Sequence, residues 1–454
     1  MMVTPDELRN ESVVRLILKF AGPAIAGMLM MSIYNVTDRI FIGHAVGPLA
    51  LAGLAVAFPL MMIKGALGIL IGLGGSSLLS IRMGEGREEE ARFILGNSFT
   101  LVFFAGIISS VIALLFLRPL LAFMGASEAV MQYAYPYTLI ILFGNPFHLI
   151  GLSGTNLIRA EGSPRASMLT NFIGACTNIV LDAIFVLGFR WGVSGAAIAT
   201  VISQIASSIW VIMHFVRGKG VLQVAKKHLK VSWERALEIA KIGLAPFSRS
   251  IVNSSIVILF NNSLKTYGGD IAVSAMGVIF SVDSLLIMPL VGLSNGAQPV
   301  LGFNYGARQY DRVKKALFYA IGIATTIVII IYLVIMLAPG FILRLFTSDQ
   351  ELIRVATEGM RLYMLLLPVV GAQMIGSNYF LATGRSGQAI FLNLARQCIF
   401  LVPLLLILPR YLDLAGVWLS QSMADALAFI TTTSFVLWDI RRLNRQQKLM
   451  EAEN

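Results

Sequence analysis

The stretch Asn156-Leu-Ile-Arg-Ala-Glu-Gly-Ser-Pro-Arg-Ala-Ser-Met-Leu-Thr-Asn171 returns 222 residues later as Asn378-Tyr-Phe-Leu-Ala-Thr-Gly-Arg-Ser-Gly-Gln-Ala-Ile-Phe-Leu-Asn393. Both copies keep the frame Asn-x3-Ala-x-Gly. The same offset pairs Gly84 with Gly306, Pro146 with Pro368 and Cys176 with Cys398, and one-residue adjustments pair Pro23 with Pro246 and Gly195 with Gly416. So constant a register over most of a chain points to internal duplication. A membrane span needs about 20 apolar residues. Twelve runs qualify, near 14–42, 49–80, 93–117, 131–158, 166–189, 193–217, 236–264, 271–302, 313–338, 355–381, 388–408 and 414–438. They are several times longer than the ~10 alternating residues of a barrel strand. The expected fold is an all-α integral membrane protein of twelve transmembrane helices in two six-helix repeats. Because six is even, the repeats run parallel, related by an axis along the membrane normal, as in two-lobed transporters. The expected organisation is an amino-terminal lobe over 1–217, a cytoplasmic linker over 218–235, a carboxy-terminal lobe over 236–441 and a cytoplasmic tail over 442–454.

Composition agrees with lipid as the main solvent. Of 454 residues 57% are hydrophobic and 13% charged, against roughly 45–50% and about 25% in soluble chains, and the mean hydropathy is +0.79. Disorder is excluded, since it needs low hydrophobicity and few aromatics, and here there are 27 Phe, 12 Tyr and 5 Trp. A net charge of +11 would suggest nucleic acid in a soluble domain, but the basic residues gather in alternate loops. Arg82, Arg87 and Arg92, then Arg159 and Arg165, then the run from Arg217 to Lys241, then Arg308 to Lys315, all fall in even-numbered connections. That asymmetry sets membrane orientation, so both termini are expected in the cytoplasm and no nucleic-acid partner is expected. The apolar stretch after Lys19 is too long, and lacks a suitable small-residue cleavage site, for a secretory signal. Two cysteines inside apolar stretches offer neither a disulfide framework nor a metal site.

An ionisable group near the bilayer centre costs about 2.5–3.5 kcal/mol and needs a partner or a role. Four acids sit well inside spans: Asp38, Asp182, Asp283 and Asp425. Asn178 and Asp182 stand one helical turn apart on one face, and with Asp38 they could form an oxygen-rich pocket suited to a proton or a hard cation such as Na⁺. The alternative for Asp38 is an ion pair, with the adjacent Arg39 or with a neighbouring helix. For Asp283 and Asp425 the ion-pair reading is preferred, because Arg249 and Arg396 lie in the same half. Lys64 either lines a wet cavity or snorkels along its methylenes, and His148 reads as a hydrogen-bonded packing residue. Pro23, four turns before Asp38, removes a backbone hydrogen bond and marks a place where the first span can bend. Methionines such as Met28, Met30, Met31, Met61 and Met62 offer adaptable apolar surface, though most are expected to face lipid or packed helices. Gly72, Gly74 and Gly75 lie within an apolar span and suit close helix packing rather than a nucleotide loop. No P-loop, paired catalytic carboxylates or Ser-His-Asp arrangement is present. The chain is therefore not expected to be an enzyme or to hold a cofactor, and work must come from an ion gradient, with H⁺ or Na⁺ as the coupling ion.

The order and spacing of Arg159-Ala-Glu-Gly-Ser-Pro-Arg165, Asn178-Ile-Val-Leu-Asp182 and Gly296-Ala-Gln-Pro-Val-Leu-Gly-Phe-Asn-Tyr-Gly-Ala307 resemble the multidrug and toxic compound extrusion (MATE) family. The last stretch resembles its prokaryotic MepA-like and DinF-like branches. The resemblance spans nearly the whole chain. It implies secondary antiport by alternating access, with a cationic or amphipathic drug leaving as H⁺ or Na⁺ enters, in the plasma membrane of a prokaryotic cell, by a monomer. It also implies a cation-coupling site, able to take Na⁺, at Asp38, Asn178, Asp182 and Thr200, a first-helix hinge at Pro23, and a substrate cavity with Tyr34 and Tyr137. Lys64 and Asp283 are further candidates for that cavity. The acids that the NorM-like branch places in spans 7 and 10 are missing, apart from Glu358 at the outer end of span 10. Two rivals stand beside this reading. A flippase for a lipid-linked precursor would favour a basic cavity, to which Lys64, Arg249 and Arg396 could contribute. A major facilitator transporter usually has an Asp-Arg pair in its second loop, absent from Arg82-Met-Gly-Glu-Gly-Arg87.

Overall fold

Apolar side chains all round a helix leave the backbone no partners but its own, so each run folds as helix. The computed structural model describes residues 3–45, 48–124, 126, 128–217, 221–344 and 350–453, without the side chains of some residues within 35–55, 251–286 and 449–453. No strand occurs among the described residues. The first six spans are Val13–Ala45, Pro48–Gly84, Glu88–Leu115, Glu128–Ala160, Pro164–Asp182 with its π-helical continuation Ala183–Gly188, and Gly192–Val216. Spans 7 and 8 form one 74-residue element, Trp233–Gly306, broken at Gly269 (φ 64°, ψ −164°). Span 9 is Tyr310–Leu337, and span 10 is the pair Gln350–Tyr363 and Leu367–Ala382, bent by 49°. Span 11 runs through Ser386–Leu394, the π-helical Ala395–Leu401 and Val402–Ile407. Span 12 belongs to Pro409–Glu453, broken at Asp413 (φ 47°). Twelve spans are thus present among the described residues, in the order the sequence predicts. The third begins five residues earlier than expected, because Glu88, Glu89 and Glu90 favour the positive N-terminal end of a helix dipole.

Backbone geometry repeats with the sequence. Gly162 (φ 101°) closes the loop between spans 4 and 5, and Gly384 (φ 75°) closes the one between spans 10 and 11. Likewise Gly86 (φ 77°) and Arg308 (φ 57°) close the loops after spans 2 and 8. Glycine enters this left-handed region without the steric cost an L side chain meets, and Arg308 shows that the turn is kept even where the glycine is not.

The two halves meet along a glycine-lined seam. Gly84 packs on the backbone of Phe303, and its repeat mate Gly306 packs on Ile81, the repeat mate of Phe303. Gly74 lies against Gly243, while Gly296, its mate, lies against Ala21. Gln298 crosses the seam, donating to the hydroxyls of Ser76 (3.0 Å) and Ser77 (2.7 Å). These contacts lie in the halves of the helices nearest the chain termini. Arg312, at the start of span 9, holds the amino terminus through the carbonyls of Leu8 (3.0 Å) and Glu11 (2.7 Å). Lys314 holds Asn444 near the carboxy terminus (2.8 Å).

The described part of the expected linker is docked rather than loose. Asn97 of span 3 donates to the carbonyls of His228 and Lys230 and accepts from the Ser232 amide. Lys227 and His228 converge on Glu89, in the first turn of span 3.

Candidate functional site

Span 5 ends its α-helical course at Asp182, so Asn178 and Asp182 share one inward face. Both are fully buried, and Thr200 on span 6 is 5% exposed. Gly195, Ala196, Ala197 and Ala199 keep this stretch of span 6 narrow enough to bring Thr200 beside span 5. The Asn178 side-chain amide donates to the Thr200 hydroxyl (3.3 Å), leaving its own oxygen, Oδ1, buried without a hydrogen-bond partner. Asp38, from span 1, completes the group: it is buried and faces Asp182 at hydrogen-bonding range. Neither oxygen of Asp182 meets a donor. Two facing carboxylates sit stably this close only if a proton shared in a hydrogen bond, or a cation, lies between them. The remaining acceptors are all oxygens, which suits a proton or a hard monovalent ion. No cluster of three or more His, Cys, Asp or Glu that could hold a metal ion exists among the described residues. The Arg39 side chain, the proposed alternative partner of Asp38, lies outside the described residues.

A cavity of about 120 Å³ adjoins this group, lined by spans 1, 4, 5 and 6 and open on one side. Its wall mixes apolar and neutral polar groups, among them Met28, Met31, Tyr34, His148, Asn171 and Gln204. Tyr34 belongs to both places, since its ring lines the cavity and its hydroxyl faces Thr200, Asp38 and Asp182. Of the other cavity candidates, Tyr137 is 5% exposed and packs in an apolar cluster with Ile42, Ile141 and Val186. Lys64 is buried on span 2, within electrostatic range of His148. Asp283 stands in the other half of the molecule. His148 makes no hydrogen bond among the described residues and lines the cavity instead, so the packing role expected of it is not what the structure shows. Met28 and Met31 face the cavity rather than lipid. Pro23 stands within span 1, which runs through it as one helix.

The second half carries a different polar group. The π-helical turn of span 11 holds Arg396, whose Nε donates to Asp425 of span 12 at 2.7 Å. Gln421 donates to both oxygens of the same carboxylate (3.3 and 3.2 Å). The ion-pair reading of Asp425 is therefore met. Asp283 faces Arg396 and Asp425 without a hydrogen bond to either, and Arg249 makes neither a hydrogen bond nor an ion pair among the described residues. Sequence reasoning did not single out Asn171 or Gln204 as cavity residues. Asn171 was visible only as a repeated position.

Two parallel six-span halves that meet at one end, with buried carboxylates beside a cavity, define a two-lobed polytopic membrane transporter. The MatE family model matches twice, at residues 23–184 and 248–407, once in each half. The chain belongs to that family. It is 26% identical over 427 residues, 93% of each chain, to the multidrug export protein MepA of Staphylococcus aureus. An outward-facing structure of a multidrug resistance MATE transporter of the MOP superfamily superposes with a TM-score of 0.92 at 25% identity, covering 98% of this chain and 100% of that one. A MOP superfamily transporter from Pyrococcus furiosus, described as having a binding pocket of reverse polarity that suggests a different function, matches with a TM-score of 0.92 at 26% identity, over 98% and 99% of the two chains.

Proposed function

We propose that this protein exports cationic and amphipathic organic compounds across the plasma membrane in exchange for H⁺ or Na⁺. The observation that carries the reading is the Asp38–Asp182 pair, two buried carboxylates that face each other, an arrangement that a positive charge between them stabilises. The similarity to multidrug export proteins over 93% of the chain supports the same direction of transport. A carrier moves substrate uphill only if ion and substrate bias its two open states differently. Tyr34 supplies the contact through which they do so. An ion entering the pair withdraws negative charge from beside the cavity, weakens the hold on an organic cation, and changes what the Tyr34 hydroxyl meets. One charge crossing the membrane contributes ~2.3 kcal/mol per 100 mV, enough for roughly fiftyfold concentration.

On this reading the end bearing both termini is cytoplasmic, the lobes are residues 1–217 and 236–441, and a seam closed at that end makes the state outward-facing. Pro23 gives span 1, which carries both Tyr34 and Asp38, a point at which to bend. The test is Asp38→Asn, which keeps shape and removes the ionisable charge. Gradient-driven ethidium efflux from proteoliposomes should collapse while the protein remains folded and inserted. Normal efflux by that variant would make Asp38 structural and remove the basis of the proposal.

A further inference from the structure

The repeat that pairs Gly84 with Gly306 also pairs Arg82 with Asn304 and Glu90 with Arg312. In both halves these two positions are joined across the loop that follows the lobe's second span: Arg82 Nε lies 3.3 Å from Glu90 Oε2, and Arg312 Nε donates to Asn304 Oδ1 at 2.9 Å. The arginine has changed places within the pair, yet in each half its Nη2 reaches across to the other half. Arg82 Nη2 stands 3.5 Å from Glu238 Oε2, near the start of span 7. Arg312 Nη2 donates to the carbonyls of Leu8 (3.0 Å) and Glu11 (2.7 Å), just before span 1. Each lobe thus grips the entry of the other lobe's first span.

Leu8 and Glu11 are fixed points of the first lobe rather than parts of a loose terminus. Thr4 and Glu7 close the start of the helix Pro5–Asn10 as a capping box, and Leu8 is buried in the core. The Val3 amide donates to the Gly162 carbonyl in the loop after span 4 (2.8 Å), and Lys19 of span 1 pairs with Glu11 (2.6 Å). The last carbonyls of a helix have no partner within it and carry the negative end of its dipole, so a guanidinium is favoured there twice over. Asn304, fully buried, aims that guanidinium. The two grips differ in strength. Arg82 keeps Glu85 (3.0 Å) and Glu90 when the lobes part, and a partly exposed ion pair such as Arg82–Glu238 is worth little. Arg312 on parting leaves two carbonyls without their charged donor, and charge-assisted hydrogen bonds are the stronger kind. The repeat axis places the grips on opposite sides of itself, so a tilt that spares one breaks the other.

We propose that Arg82 and Arg312 are positioning residues for transport: two inter-lobe clamps, related by the repeat, that hold the seam shut and set how often the protein opens at the end bearing its termini. Arg312 is the main clamp and Arg82 the auxiliary one. The inference goes beyond the export reading and takes from it only that this end opens during the cycle.

Spin labels at the exposed positions Glu88 and Arg308, on full-length protein in phosphatidylcholine nanodiscs, read the ratio of separated to closed lobes by pulsed electron resonance. Arg312→Gln should raise that ratio about tenfold, a change of about 1.4 kcal/mol, and Glu238→Gln should raise it about threefold. The double variant should show the product, since separate contacts bias one two-state equilibrium. Arg312→Lys should recover part of the loss, because an ammonium still donates to the carbonyls but lacks the guanidinium fork. A ratio within twofold of wild type in Arg312→Gln overturns the proposal. A shift in Arg312→Gln that Arg312→Lys leaves wholly unrepaired makes Arg312 a structural residue and also overturns it. The distances are taken without substrate or ion gradient, so they stand apart from the export reading: wild-type protein that moves no ethidium overturns that reading and leaves the clamps in place.

Discussion

Replacing Gly84 and Gly306 together by alanine should force the lobes apart at the end that bears the termini. A Cβ at Gly84 would stand 2.8 Å from the Phe303 carbonyl carbon and 2.9 Å from the Ala307 amide nitrogen. At Gly306 it would stand 2.9 Å from the Ile81 carbonyl carbon and 3.1 Å from its Cα. Carbon atoms rest about 3.5–4.0 Å apart, so each methyl demands roughly 0.6 Å or more, and the obstructing atoms are backbone that cannot rotate away. Overpacking of this kind costs ~1–3 kcal/mol per site. One separation of the lobes relieves both clashes, so the costs do not add, and a combined ~3 kcal/mol corresponds to about a 150-fold shift between states. Spin labels at Glu88 and Arg308, exposed on either side of the seam, report it by pulsed electron resonance. The double variant should lengthen and broaden the distance distribution, and dye efflux should fall at least tenfold in protein that still elutes as a single species. An unchanged distribution with efflux within twofold of wild type would refute the claim that this seam closes and opens during transport.

Tyr34→Phe keeps the ring on the cavity wall and removes the hydroxyl that faces Thr200 and the two acids. Dye affinity at fixed pH and Na⁺ should stay within about threefold. The dependence of that affinity on pH or Na⁺ should shrink by tenfold or more, since a hydrogen bond to a charged group is worth ~1.5–3 kcal/mol. Full retention of that dependence would separate Tyr34 from coupling. A single reporter cysteine at Lys226 should resist an impermeant reagent applied to intact cells while one at Lys265 reacts, both positions being exposed. The reverse pattern would invert the orientation.

The acids of the first lobe were legible in the sequence because a charge in lipid is expensive, so Asp38 and Asp182 stand out against their surroundings and Asn178 follows by helical spacing. Thr200 did not stand out on those grounds, since a hydroxyl inside a helix can satisfy itself on the preceding turn and carries no such cost. It entered through resemblance. For the same reason Asn171 and Gln204 gave no cavity signal. Tyr34 and Tyr137 look alike in sequence, yet one lines the cavity and the other is packed against Ile42 and Val186. The choice depends on the rotation of each helix about its axis, which apolar runs with little one-sided patterning do not specify. The repeated glycines were visible as pairs. That Gly84 and Gly306 face each other's halves required the fold. The π-helical segments after Asp182 and around Arg396 shift the hydrogen-bond register by one residue, and no residue in Ala183–Gly188 or Ala395–Leu401 marks that shift beforehand.

The central claim is that one buried carboxylate pair ties ion entry to substrate exit. Its most direct measurement is the ion movement provoked by substrate, in proteoliposomes that contain the purified protein and begin without a membrane potential. A gradient of ethidium should drive counterflow of H⁺ or Na⁺, detected by a trapped pH dye or by ²²Na⁺, and the flux should fall at least tenfold in Asp182→Asn. Ethidium movement without either ion flux, or undiminished flux in Asp182→Asn, would contradict the account.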